Sequence, residues 1–106
     1  MEKFEMKFMF DWGSRVCIWA ANDEARKKYG YSVKSEQLPI SENLVRELNM
    51  LIRRHDEALD WDCPQNGLLW TKEQQEKFIE RAKSAYSKLC MELDSDHHLI
   101  LGERLL

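Results

Sequence analysis

The sequence predicts one α+β domain: an N-terminal β-hairpin packed on two long amphipathic helices, with a short helix and a C-terminal strand. Three observations carry this. Phe4, Met6, Phe8, Phe10 and Trp12 fall on every second position, with Glu5, Lys7 and Asp11 between them, the period of a half-buried strand. Two later stretches repeat apolar residues at three- and four-residue steps, the period of a helix. The 106 residues hold no internal repeat, linker or composition break, and a common domain size is about 100–150 residues. A single domain over 1–106 is therefore expected.

The first strand is expected over 3–12. Gly13-Ser14 offers a turn, and RVCIWA continues with β-branched and aromatic residues, so a second strand over 15–20 closes a hairpin. In it Val16, Ile18 and Ala20 share one face, while Arg15, Cys17 and Trp19 share the other. Asn22 is a good N-cap and Asp23-Glu24 put negative charge in the first turn. Gly30 suits the C-terminal position after Arg26, Lys27 and Lys28, which predicts a short helix over 22–29. Residues 31–40 read as extended or irregular, since Pro39 disfavours helix at Leu38.

Ser41 is the next N-cap. Leu44, Val45, Leu48, Leu51, Ile52, His55 and Leu59 then form an amphipathic stripe, and the second helix runs from about 42 to 58. Pro64 and Asn66-Gly67 end it in a loop. Thr71 with Gln74 matches a capping box, which Trp70 would staple to the next turn. Phe78, Ala82, Ala85, Tyr86, Leu89 and Leu93 carry a third helix from about 71 to 93. In the tail, Leu99-Ile100-Leu101 before Gly102 reads as a short strand.

Composition bounds the function. Sixteen basic against 19 acidic residues give a net charge of −3, which disfavours direct nucleic-acid binding, where clustered Lys and Arg supply the affinity. No apolar run is long enough for a membrane span, and the N-terminus resembles neither a signal nor a transit peptide. Cys17, Cys63 and Cys90 are three isolated cysteines without CxxC spacing, as expected of a chain in a reducing cytoplasm.

Catalytic chemistry finds little support. His97-His98 are adjacent and point to opposite faces of a strand, so they do not share a metal ion. Asp60-Trp61-Asp62 starts like a calcium loop, but Pro64, Gln65 and the missing final glutamate break the pattern. Cys63 lies beside Asp62, whose charge raises rather than lowers a thiol pKa. Neither a metal nor another cofactor is expected, and no catalytic residue stands out. The enzymatic alternative is a small cytosolic hydrolase or metal-dependent enzyme using His55 or His98 with Cys63 and the nearby acids.

The acidic stretch suits another task. Segment 41–62 carries six acids (Glu42, Glu47, Asp56, Glu57, Asp60, Asp62) against Arg46, Arg53 and Arg54. The acids gather at the C-terminal end of the helix, where its dipole disfavours them. Trp61 sits between two carboxylates. It has two readings: a ring folded back to seal the core, favoured by its apolar area, or an exposed anchor for a basic protein surface. Asp56, Glu57, Asp60, Trp61 and Asp62 are the candidate partner-binding residues. Trp19 joins them if the hairpin covers the helices with its other face. A homodimer through an edge strand is a third reading.

The run FDWGSRVCIWAANDEARKKYGY, then LPISENLVREL, LDWDCP and a Trp just before the last helix resembles a group of small acidic bacterial proteins over residues 8 to about 93. These are toxin-immunity proteins of the contact-dependent growth inhibition type. Arg15 departs from the group's pattern, which has glycine there, and so does Cys63 in the LDWDCP loop. The resemblance implies a non-enzymatic inhibitor that neutralises a bacterial toxin in the cytoplasm. Toxins that act on nucleic acid, such as nucleases, have basic active sites, which a small acidic protein can block and find quickly by electrostatic steering. The resemblance assigns no functional residue.

Overall fold

A computed structural model describes residues 3–102 and 105–106. The elements follow in the order β1 (Phe4–Phe8), β2 (Ile18–Ala20), α1 (Asp23–Tyr29), β3 (Ser32–Val33), α2 (Glu42–Glu57), α3 (Lys72–Glu92) and β4 (His97–Leu101), with 3-10 turns at Ser35–Gln37 and Pro64–Asn66. The α+β class and the hairpin-on-two-helices arrangement are as expected.

The four strands form one sheet in the order β3-β2-β1-β4. β1 pairs antiparallel with β2, placing Lys7 opposite Trp19, and parallel with β4, placing Met6 opposite Leu99. Met6, Phe8, Ile18, Ala20, Val33 and Leu99 are buried on one face. That face packs against Leu44, Leu48 and Leu51 of α2 and Phe78, Ala82, Ala85 and Leu89 of α3. Ala25 and Tyr29 bring α1 into the same core. Complete burial of side chains such as Phe8 and Leu48 stabilises by about 1.5–3 kcal/mol each.

Helix ends agree with the local signals. Asn22, Ser41 and Thr71 each accept from a backbone N–H three residues on, and Thr71 and Gln74 complete the capping box. Trp70 is tied to the following turn by Gln75 Nε2, which donates to its carbonyl at 3.1 Å; its ring meets Phe78 at 5.4 Å, with Arg54 above it at 5.7 Å. A tertiary cap adds to the N-terminus of α2, where the Glu92 carboxylate accepts from Ser41 N at 2.6 Å and from its hydroxyl at 3.1 Å.

The strands are shorter than their alternation suggests. The ladder continues once past β1, with Met9 N donating to Cys17 O at 2.9 Å. Residues 10–16 then leave the sheet, and Arg15 adopts a positive φ of 65°. Cys17 consequently does not share the outward face of Trp19; it is 1% exposed in the core. At the other end β4 begins at His97, two residues earlier than expected, and Tyr86 of α3 donates to its Leu99 O at 3.0 Å. Gly102 N donates to Phe8 O at 2.8 Å, and a Cβ at Gly102 would lie 2.8 Å from that oxygen. The close approach of β1 and the end of β4 thus requires glycine.

Candidate functional site

The sequence-predicted acidic residues come together at the C-terminal end of α2, beneath the loop that follows β1. Phe10 and Trp12 lie along this end of the helix. Trp12 Nε1 donates to His55 O at 2.8 Å, and its ring stacks on the His55 ring at 4.5 Å. Phe10 stacks on the same His55 ring at 5.3 Å and meets Phe78 edge-to-face at 5.2 Å. His55 is 2% exposed. It is a core residue wrapped by aromatics.

Asp56 holds the loop. Its Oδ1 accepts from Gly13 N at 3.0 Å, and its backbone oxygen accepts from Trp61 Nε1 at 2.7 Å. The Trp61 ring reaches back towards Gly13, whose Cβ position would sit 3.6 Å from it. Trp61 nonetheless remains 55% exposed. The core-sealing reading of Trp61 is therefore corrected: Trp12 and Trp70 close this end, leaving the Trp61 face open. Its indole N–H is a second donor to the Asp56 carbonyl, which Leu59 N meets only at 3.4 Å.

Asp60 also has a local task. Its Oδ1 accepts from Asp62 N at 3.2 Å and Cys63 N at 3.1 Å, an Asx-type turn that reverses the chain after α2. An isolated bridge between Leu59 and Leu68 closes the base of the loop. Glu57 and Asp62 are exposed and enter no ion pair among the described residues. The five candidates thus divide: Asp56 and Asp60 shape the loop, while Glu57, Trp61 and Asp62 face outward.

Trp19 lies elsewhere, on the sheet face that no helix covers. Its Nε1 donates to Met9 O at 2.8 Å, which fixes the half-buried ring. Lys7, Met9 and Tyr31 share a shallow depression with it.

The residues of the enzymatic alternative lie on three different elements. His55 is buried in α2, Cys63 is half-buried in the loop, and His98 is exposed on β4. His97 instead turns inward, between the Asp94 carboxylate and the Tyr29 hydroxyl, both at 2.7 Å. That hydrogen bond to His97 holds the Asp94 carboxyl below its usual range. Among the described residues no group of three or more His, Cys, Asp or Glu is placed to hold a metal ion.

Sequence reasoning missed Gly13, whose N–H anchors the loop to Asp56, because that contact spans 43 residues. It also missed Arg54 and Arg81, which line one groove between α2 and α3.

Comparison with known proteins gives one family. A family model described as Serratia CdiI immunity protein-like matches residues 4–101, from the first residue of β1 to the last of β4. A search of the curated proteins finds no match. Among the described residues no helix is long and apolar enough to cross a membrane.

Proposed function

The chain belongs to the Serratia CdiI immunity protein-like family, and on that premise we propose that it neutralises one cognate bacterial toxin by docking an acidic surface onto it. Glu57, Trp61 and Asp62 make the contact. Asp56 and Asp60 hold them in place. The inhibitor acts by binding, in the cytoplasm of the producing cell, and performs no chemistry of its own.

The observation that carries this reading is the state of Trp61. A tryptophan over half exposed loses apolar burial worth about 1 kcal/mol or more, yet its N–H is fastened to Asp56 O. The ring is thereby held ready, so little side-chain entropy remains to be lost on binding. The carboxylates beside it supply long-range attraction to a basic toxin, such as a nuclease. Trp19, also fixed by its N–H, is a second anchor on the uncovered sheet face.

The test uses the purified cognate toxin. Calorimetry at low and high salt is compared for the native chain, Trp61→Ala and the pair Glu57→Lys with Asp62→Lys. A loss of affinity of at least tenfold in the charge-reversed protein, with unchanged melting temperature, supports the acidic surface. Full affinity and full growth protection by that variant would overturn it.

A further inference from the structure

α2 and α3 run antiparallel, and one ion pair fixes their register: Lys88 Nζ lies 3.0 Å from Glu47 Oε2. Two turns onward along α2 stands Arg54, and two turns back along α3 stands Arg81. The place of a second cross-helix ion pair is thus held by two guanidinium groups. Both line a groove of about 310 Å³ whose floor is Leu51 and Phe78. Lys77 and Gln74 stand on the same rim, with Glu80 beside them.

Lys77 is already engaged by Glu73 at 3.4 Å. Arg54 sits over the Trp70 ring at 5.7 Å, a contact that leaves its N–H donors unspent. Among the described residues neither Arg54, Arg81 nor Glu80 enters an ion pair. Like charges that line one groove repel each other.

We infer that this groove is a carboxylate-binding cleft, in which Arg54 and Arg81 receive an acidic side chain of the toxin. The inference rests on the toxin-binding reading for the identity of the partner, and on the groove itself for its chemistry. A planar guanidinium matches a carboxylate bidentately, and two of them line this groove. The groove leaves room for the methylene stem of a glutamate against Leu51 and Phe78. A nucleic acid would instead bring its phosphates onto a protein of net charge −3. The interface is then bipolar, with an acidic contact at Glu57 and Asp62 and a basic one at the α2–α3 groove. Two contacts of opposite sign fix the orientation in which the toxin docks.

The first test contains no toxin. A blocked hexaglutamate peptide is titrated into the protein at low salt and followed by amide and guanidinium NMR resonances, with inorganic phosphate titrated in parallel. Saturable shifts centred on Arg54, Gln74 and Arg81, stronger for peptide than for phosphate, are expected. Arg81→Glu should abolish them while raising the melting temperature, because it recreates at this position the pairing of Glu47 with Lys88. Arg54→Gln provides a second variant with the same loss of binding. Absent shifts, shifts unchanged in the variants, or phosphate binding as strongly as peptide would overturn the cleft. In the toxin complex, Arg81→Glu should weaken affinity at least tenfold. Undiminished affinity there, with peptide binding lost, would overturn the toxin contact while leaving the acidic surface standing.

Discussion

Gly13 N donates to Asp56 Oδ1 at 3.0 Å, joining the loop after β1 to the last turn of α2. An acid near a helix C-terminus is locally unfavourable, and here an amide from a distant segment offsets that cost. Asp56→Ala should lower stability by about 1 kcal/mol, the typical net worth of such a bond. It should also broaden the indole resonances of Trp12 and Trp61. Denaturant unfolding followed by tryptophan fluorescence checks the first, and NMR the second. Unchanged stability would mean that the aromatic contacts of Trp12 alone hold the loop.

Arg15 occupies the left-handed region, with φ 65°. A side chain there costs about 1–2 kcal/mol, part of which glycine returns through its freer unfolded chain. Arg15→Gly should therefore stabilise the protein by up to about 1 kcal/mol. The midpoint of urea unfolding reads this directly, and a fall in the midpoint would show that the Arg15 side chain contributes more than its backbone loses.

The three cysteines should differ in reactivity. Burial pushes the Cys17 thiol far up, whereas Cys90 is exposed and Cys63 half-buried. A thiol reagent at pH 8 should modify Cys90 and Cys63 in the folded protein and reach Cys17 only on unfolding, because the thiolate is the reactive form. Modification of Cys17 at the rate of the other two would show local opening of the loop after β1.

Acid should destabilise the fold in a defined window. Hydrogen bonds to His97, Arg26 and Asn49 hold the carboxyls of Asp94, Asp23 and Glu36 below their ordinary values of 3.8, 3.8 and 4.5. A group depressed in the folded state contributes stability above its unfolded pKa and loses it as pH falls through the folded one. Stability from these three should be intact above about pH 5 and decline below about pH 4. Asp94→Asn should flatten that decline when unfolding is measured from pH 6 to pH 2; an identical acid limb would remove Asp94 from the account.

The parts of this fold that the sequence makes legible are those decided within a few residues. The caps at Asn22, Ser41 and Thr71 and the apolar stripes of α2 and α3 are local, and they agree with the structure. Strand ends are not local. Phe10 and Trp12 keep the alternation of β1, but their rings leave the sheet to pack on His55 and Phe78. The candidate site shows the same division. Its acids are visible in LDWDCP, while the separation of Asp56 and Asp60 from Glu57 and Asp62 depends on Gly13 and on turn geometry. The apolar area of Trp61 favours a buried ring, and area does not register that its N–H reaches the Asp56 carbonyl at the end of α2.

β1 and β4 lie side by side although nearly the whole chain separates them. Contacts of such long sequence separation slow folding, because the intervening chain must be closed before they form. During synthesis β1 emerges before β4, and its edge stays unpaired until residues 97–101 are made. A chain interrupted before His97 keeps both helices and the acidic loop but leaves that edge of the sheet open. Loss of β4 should therefore weaken every contact that depends on the intact sheet, Met6 with Leu99 among them.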